Sequence, residues 1–569
     1  MINKIKNNKI HIITSILYFA IIIIYELLYC NFSWIKNLDL TYNFSFFRII
    51  MYIFFYVIYF LLKNKFIDNI KKSFENKTKS GLTYVLSLIS TVLLFSIIGC
   101  IFILKEIFLW QVVAILSILL FDLFLIYITN DILKNTILIC VTLGIVFSIS
   151  ITINNQLDEK KHFLSTYSLA LGNISKTNHT VDTSIADIER GLSIENFNKY
   201  FNEKPQNLLT KEYTAEDVRD TPANYYVISY IPAAIGIFLA KTLGGSIADI
   251  YFAGRIFNVL GYAALIYLAL TILPYKRKVF YVVAFMPMLL CLAGVYSPDG
   301  ITFGVVSIFI AYCLKLYEQP DNIKIKEIII LLLTFLLMSI IKGTGYILVG
   351  LIIFILPLIK IIKQNKKNMK YIILIAISMI AILGVLFVST YSSEIHDGYG
   401  DPRSDGTDSK GQLEYIINNP LEYIKTMWNH GVFVFTNLDC LSFLNAPMFF
   451  GITYYKSFII LLFFILAVAL MDNSKSYNIK NRIIFLLTFL AVFILTSTAL
   501  YISYTRVGET YVNGYQMRYL FPIIPLFLMC LSNKKLKYDE TKYQDILFIT
   551  YIIGFLIVTS IIGIILRMI

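Results

Sequence analysis

Charged residues are scarce in this chain of 569 residues. Lysine, arginine, aspartate and glutamate make up 15% of it, and 58% of the residues are hydrophobic. A soluble protein has about 25% charged residues, and the mean hydropathy here is +0.72. These values exclude a soluble globular enzyme and favour one polytopic membrane protein over several soluble domains.

Several familiar motifs are missing as well. The seven cysteines show no CxxC pairing, which indicates neither a zinc site nor a disulfide framework. No P-loop, Rossmann, HExxH or GxSxG string occurs, so nucleotide-driven chemistry has no support. The net charge of +13 comes mostly from lysine clusters between apolar runs, as expected of cytoplasmic loops under the positive-inside rule. A nucleic-acid partner is therefore not expected.

What the chain has in quantity is apolar runs of bilayer-spanning length. We predict an all-α polytopic protein of the cell membrane with about 15 transmembrane helices, at roughly 20 residues each. The lysine clusters all fall on one side if the N-terminus is cytoplasmic and the C-terminus extracytoplasmic. The predicted spans are about 11–30, 46–63, 82–104, 108–128, 136–153, 253–273, 279–295, 300–316, 327–341, 345–363, 371–391, 455–471, 481–501, 518–531 and 545–565.

Long loops divide this architecture. Residues 1–135 form a four-helix N-terminal extension, and residues 136–569 form the transmembrane core. The core carries a first external loop at 154–223, with 11 acidic and 8 basic residues, and a second at 392–454. The run 224–240 is predicted not to cross but to form a juxtamembrane helix, interrupted by Pro232, because crossing would move every later lysine cluster outside.

The first external loop opens with two acids and a histidine. Asp158 and Glu159 follow a span directly, and His162 comes three residues later. Carboxylates beside an imidazole can deprotonate a hydroxyl or hold a divalent cation. The alternative is a charged, solvated loop start.

A second acid, Asp299, lies in the string Tyr-Ser-Pro-Asp-Gly at 296–300, between two predicted spans. It faces the same compartment as Asp158, so helix packing can bring the two together. The same string is also a good β-turn sequence, and turn formation is the competing interpretation.

Three cations are predicted on the same side of the membrane. Lys342 follows a span, Arg518 opens one, and Arg255 lies at the outer start of the span 253–273. A guanidinium can bind a phosphate through two hydrogen bonds. For Lys342 the competing interpretation is a snorkelling side chain, and for the arginines an interfacial anchor.

The order of these strings resembles that of a known family. It runs DE-x-x-H-F, N-Y-Y-x-x-x-Y-x-P, A-x-R-x-x-N, P-M before S-x-D, K-x-x-x-Y, N-P-L-x-Y-x-K and G-x-Q-x-R-Y-x-x-P, the last including Gln516. From about Ile137 to the C-terminus the chain resembles a bacterial family of predicted membrane proteins of unknown function. That family is similar to the GT-C superfamily of polytopic glycosyltransferases.

The resemblance implies an inverting glycosyltransferase with a GT-C-like core. It would move a sugar from a polyprenyl phosphate to a cell-envelope glycan or glycolipid on the extracytoplasmic side. The implied catalytic residues are Asp158, Glu159 and Asp299, with a divalent cation (Mg or Mn) on Asp158 and Glu159 allowed but not required. We further expect His162, Arg255, Lys342, Gln516 and Arg518 to bind the substrate.

Two other functions remain open from the sequence. One is a non-catalytic flippase or exporter of a lipid-linked glycan, which would use the same basic groups to hold phosphate. The other is a polysaccharide polymerase or ligase. Because the named polar groups all lie on one side of the membrane, the sequence favours an enzyme over a carrier.

Overall fold

The computed structural model describes part of the chain. It covers chiefly residues 158–174, 178–189, 208–212, 227–320, 325–341, 345–364, 406–437 and 474–531, with short pieces and single positions elsewhere. Four predicted spans of the N-terminal extension, Lys342 and the predicted last span lie essentially outside the described residues. The predicted count of about 15 spans therefore stays a prediction.

The described residues are mostly helical. The helices are α1 (Glu159–Ala170), α2 (Thr183–Ala186), α3 (Ile231–Thr242), α4 (Ile247–Ile272), α5 (Arg277–Ala284), α6 (Pro287–Ala293), α7 (Asp299–Glu318), α8 (Ile325–Ile341), α9 (Ile347–Ile353), α10 (Ile355–Gln364), α11 (Ser409–Asn418), α12 (Pro420–Thr436), α13 (Ile479–Tyr504) and α14 (Ile524–Cys530). Two 3₁₀ turns, Val227–Tyr230 and Met517–Ile523, precede α3 and α14.

The predicted first external loop also contains a short β-ribbon, which the all-α prediction missed. Strands β1 (Asn178–Asp182) and β2 (Leu208–Glu212) pair antiparallel, with Asn178 opposite Glu212 and Asp182 opposite Leu208. The two strands are short and far apart in sequence, so no local pattern connects them.

Within the described part of the chain, three helices are long and apolar enough to cross a membrane: α4, α7 and α13. Helix α7 lies at the centre and is buried along almost its whole length. It packs closely on α4, where a side chain at Gly304 would meet Leu265. The structure thus has the helical core of a membrane protein around α7.

Several predicted spans are not continuous helices. The run 279–295 is divided into α5 and α6, because Pro287 lacks the N–H and clashes with a helix continued through it. The run 345–363 is divided at Phe354, and the run 518–531 begins as a 3₁₀ turn. These predictions of single straight helices were wrong in detail, although the segments are helical.

The run 224–240 contains a helix, α3, and its predicted juxtamembrane position stays a prediction. Pro232 lies in its first turn and does not interrupt it. Helix α3 runs antiparallel to α4, since Pro232 lies against Gly261 and Gly236 lies against the Ala253 backbone. A side chain at either glycine would collide with its neighbour, so both positions let the helix backbones approach closely.

Candidate functional site

At the start of α1, the neighbouring carboxylates of Asp158 and Glu159 lie in different environments. Asp158 precedes the helix with φ 56°, a left-handed conformation that Asp tolerates better than most residues. Its side chain is 31% exposed, whereas that of Glu159 is 0% exposed. The acidic pair identified in the sequence is therefore divided between a surface group and a buried one.

Glu159 belongs to a buried ion pair with Arg255. Its Oε1 accepts hydrogen bonds from Nε of Arg255 at 3.0 Å and from Nη2 at 2.7 Å. The same oxygen accepts from the backbone N–H of Tyr296 at 3.2 Å. Both side chains of the ion pair are 0% exposed, so the pair lies beneath the surface of the site.

The Nη1 group of Arg255 binds two backbone carbonyls. Its Nη1 donates to the carbonyl oxygens of Ser148 at 2.7 Å and Ile151 at 2.8 Å, at the end of the segment before the first external loop. Arg255 is the ninth residue of α4, because this helix begins at Ile247, earlier than predicted. The structure therefore places Arg255 inside the fold, where it joins α4 to the chain leading into α1.

A second charged group forms the outer cluster, which we define as Asp158, Asp299 and Arg518. Nη2 of Arg518 lies 3.7 Å from Oδ2 of Asp158, and Nη1 lies 3.4 Å from Oδ2 of Asp299. Both distances exceed the roughly 2.7–2.9 Å of a charge-assisted hydrogen bond. The guanidinium thus lies between two carboxylates without closing tightly on either.

Asp299 is held at the start of α7. It is the first residue of that helix, and the hydroxyl of Ser297 donates to its Oδ2 at 3.1 Å. A carboxylate is stabilised at a helix N-terminus by the helix dipole. The string thus forms a turn at the start of α7, and this turn fixes the carboxylate that faces Arg518. A catalytic role of Asp299 stays a prediction.

Arg518 belongs to the 3₁₀ turn Met517–Ile523. Its guanidinium lies 5.6 Å from the ring centre of Tyr519, whose carbonyl oxygen accepts a 2.9 Å hydrogen bond from the hydroxyl of Tyr346. Gly514 has φ 75°, and a side chain there would collide with Tyr504. Gly514 thus allows the backbone to lie close to Tyr504.

The other predicted binding residues are His162, Gln516 and Lys342. Nδ1 of His162 is 2.7 Å from the hydroxyl of Tyr230, and the His162 side chain is buried. The buried Oε1 of Gln516 has no hydrogen-bond partner among the described residues. Lys342 lies outside the described residues, although Tyr346, four residues later, contacts Tyr519.

The described residues offer no ready cation site. Within them, no group of three or more His, Cys, Asp or Glu side chains is arranged to hold a metal ion. Asp158 and Glu159 diverge, so they do not form the paired ligands that the sequence suggested. Between Asp158 and Asp299, the guanidinium of Arg518 occupies the position that a bridging cation would need.

Sequence reasoning missed the aromatic residues around the buried pair. The Tyr251 hydroxyl accepts from the backbone N–H of Asn154 at 2.9 Å and from Nη2 of Arg255 at 3.3 Å. The Tyr296 hydroxyl donates to the Tyr251 carbonyl at 2.6 Å. One signal was available, because residues four apart on a helix, such as Tyr251 and Arg255, share a face.

These features define a class: a helical membrane protein with a buried ion pair beneath a charged cluster formed at the starts of two helices and a 3₁₀ turn. The sequence model of the predicted membrane protein (DUF2142) family matches residues 141–527. The chain therefore belongs to this family, which confirms the resemblance to a family of predicted membrane proteins. No curated protein and no solved structure matches the chain.

Proposed function

We propose that this protein is a membrane glycosyltransferase that uses a polyprenyl-phosphate-linked sugar on the extracytoplasmic side. The observation that supports it is the outer cluster. Asp158, Asp299 and Arg518 were singled out separately in the sequence and are far apart along the chain. Each of the two carboxylates nevertheless has an oxygen within 3.7 Å of the Arg518 guanidinium.

Asp158 is the general base in this proposal. It is the most exposed member of the cluster, at 31%, so an acceptor hydroxyl can reach it. The hydroxyl oxygen attacks the anomeric carbon, its proton moves to the Asp158 carboxylate, and the bond from that carbon to the phosphate oxygen breaks. A positioned base of this kind contributes about 10²–10⁴-fold to a rate.

Arg518 stabilises the departing polyprenyl phosphate. Its guanidinium is 7% exposed, and positive charge in such a poorly hydrated site strongly stabilises charge that develops on a leaving group. Asp299, whose side chain is 5% exposed, holds the guanidinium in place at a distance of 3.4 Å. Lys342 is the second phosphate-binding cation of the proposal, on the basis of its sequence position alone.

Glu159 and Arg255 act as positioning residues. Their mutual bonds fix α1 against α4 and so fix the backbone that carries Asp158. Because neither side chain is exposed, neither contacts substrate in this proposal. This differs from the expectation from the sequence, in which Glu159 was catalytic and Arg255 bound substrate.

The test uses purified protein in proteoliposomes with radiolabelled polyprenyl-phosphate glucose or arabinose as donor. A lipid extract of cells that lack the gene provides the acceptors. We expect label in a new product with the wild type and with Asp187→Asn, an exposed carboxylate of the same loop. We expect none with Asp158→Asn, which is nearly isosteric and keeps a residue type that tolerates the left-handed backbone.

Two results would contradict the proposal. Undiminished transfer by Asp158→Asn would remove the general base. Movement of labelled donor across the bilayer without any new product would instead indicate a flippase. A polymerase or ligase would be recognised by products that contain repeated or preassembled glycan units.

A further inference from the structure

Helix α12 lies alongside the long helix α13. Near one end, the Tyr423 hydroxyl is 2.6 Å from Oγ1 of Thr498. Further along, the His430 ring is stacked 5.7 Å from Phe493, and the Phe435 ring is 6.1 Å from Phe489. As the α12 numbers rise the α13 numbers fall, so the two helices run antiparallel.

The N-terminal part of α12 lies near the C-terminal end of α13. Oε1 of Gln412 in α11 accepts a 2.9 Å hydrogen bond from the backbone N–H of Gly508, just beyond α13. Phe489, at the other end of the pairing, lies near the middle of the 26-residue helix α13. From Thr498 to Phe489 the helix advances about 14 Å, at about 1.5 Å per residue. Helix α12 therefore extends from the end of a membrane-spanning candidate to near its centre.

Helix α12 also exposes a stripe of apolar side chains, and one exposed residue near the end of α11 precedes them along the chain. The members of this stripe are spaced three or four residues apart and are 38–78% exposed. They are Ile417, Leu421, Ile424, Trp428, Val432 and Phe435. Spacing of this kind places side chains on one face of a helix. This stripe has the length and composition of a surface that contacts lipid chains.

The charged residues of α12 lie only in its N-terminal part, which is the part nearest the C-terminal end of α13. Glu422 and Lys425, both exposed, lie in its first two turns. From Thr426 to Thr436 the helix contains no Asp, Glu, Lys or Arg. Beside it, α13 exposes Ile483, Leu487, Leu490 and Ile494. Charged residues are costly in hydrocarbon and rare there, so this gradient fits a helix whose C-terminal half is deeper in the bilayer.

We propose that α12 enters the outer leaflet obliquely beside α13 and that its apolar stripe contacts lipid acyl chains. An amphipathic helix at a membrane commonly lies flat in the interface, and the antiparallel pairing with α13 gives α12 a different orientation. The occupant of the stripe is lipid, because the apolar surface is continuous with the exposed face of a membrane-spanning candidate.

The inserted helix lies next to the candidate site. The ring of His430, 6% exposed, is 4.9 Å from the ring of Tyr515, which is 5.8 Å from the ring of Tyr519 beside Arg518. Under the proposed function, the isoprenoid chain of the substrate lies along the exposed stripe of α12. This last step depends on the proposed function, but the insertion of α12 does not.

The depth of α12 is measurable with tryptophan fluorescence. Trp34→Phe and Trp110→Phe leave Trp428 as the only tryptophan, and Trp428→Phe then allows one to be placed at Leu421 or Val432. Each variant is reconstituted in phosphatidylcholine vesicles that contain lipids brominated either near the carbonyl groups or near the chain ends. Bromine quenches nearby tryptophan, so the ratio of the two quenching effects reports depth.

We expect Leu421→Trp to be quenched more by the shallow bromines and Val432→Trp more by the deep ones. Tyr511→Trp in the same background is the control, because Tyr511 is 53% exposed beyond the end of α13 and should be quenched little. Equal quenching ratios at Leu421 and Val432 would show a helix parallel to the membrane surface. Absence of quenching at both, in protein that elutes as the wild type does in gel filtration, would show that the stripe does not contact lipid. Either result would overturn the proposal.

Discussion

Asp158 and Glu159 are adjacent in the chain but belong to two different kinds of charged site. Glu159 lies in a buried ion pair with hydrogen bonds of 2.7 and 3.0 Å to Arg255, and Asp158 lies in an outer cluster at 3.7 Å from Arg518. The buried pair is closely bonded and inaccessible. The outer cluster is looser and partly exposed, which is what a site that must admit a ligand requires.

Because the two sites differ in burial and in the closeness of their contacts, a substitution in each should affect a different property of the protein. Removing one member of a buried pair leaves an uncompensated charge and mainly lowers stability. Removing a member of a ligand-binding cluster mainly lowers activity. Four substitutions test this division.

The largest effect is expected from Arg255→Met. It leaves the Glu159 carboxylate buried without its cation, which costs about 3–5 kcal/mol. We expect a strong drop in the midpoint of thermal unfolding in detergent and a low yield of monodisperse protein. Adding Glu159→Leu should restore part of the stability, since an apolar replacement of the whole pair removes the buried charge. Wild-type stability of Arg255→Met would show that the pair does not hold α1 on α4.

The next largest effect is expected from Arg518→Gln, on the proposed transfer. Loss of a preorganised group that stabilises developing charge costs about 10²–10³-fold in rate. Arg518→Lys should recover part of this loss because it keeps the charge but not the two-pronged geometry. Transfer assays in proteoliposomes, with unfolding midpoints measured in parallel, check this. Equal rates for wild type and Arg518→Gln would separate the outer cluster from catalysis.

A smaller effect is expected from Gly254→Ala. The added methyl group collides with the Tyr296 hydroxyl, next to the buried pair. Overpacking of this kind costs about 1–3 kcal/mol, read as a lower unfolding midpoint. Gly384→Ala is the matched control, because no atom lies within 4 Å of the added Cβ there. If both variants unfold alike, Tyr296 is not held as tightly as the structure indicates.

The smallest effect is expected from Ser246→Ala at the start of α4. Ser246 and Asp249 form a capping box in which each side chain accepts a hydrogen bond from the other residue's backbone N–H. Loss of such a cap costs about 1 kcal/mol. Ser246→Thr, which keeps a hydroxyl that accepts from the Asp249 N–H and donates to the Asp249 carboxylate, should unfold close to the wild type. A drop as large as that of Arg255→Met would mean that α4 is held mainly by its cap.

The sequence identified the members of the outer cluster but did not show that Asp158 and Glu159 belong to different sites. Asp158, Asp299 and Arg518 could be found because charges are rare in a membrane protein and therefore informative. The separation of Asp158 from Glu159 depends on the left-handed backbone at Asp158. An adjacent acidic pair in a sequence contains no signal for that conformation.

The fold was predictable where local chemistry decides it. Apolar runs predicted α4, α7, α8 and α13, and Pro287 is the local signal in the sequence for the break between α5 and α6. The β-ribbon and the orientation of α12 depend on contacts between residues distant in the chain. Hydrophobic periodicity identifies an amphipathic helix but does not show its angle to the membrane.

The most direct test measures Asp158→Asn and Glu159→Gln side by side, for both sugar transfer and thermal unfolding. We predict a crossed pattern. Asp158→Asn should abolish transfer while unfolding near the wild-type temperature, and Glu159→Gln should unfold at a clearly lower temperature. Below its unfolding temperature, the folded fraction of Glu159→Gln should retain transfer. If Glu159→Gln folds normally but is inactive, or if Asp158→Asn is fully active, the division between a buried structural pair and an outer reactive cluster is contradicted.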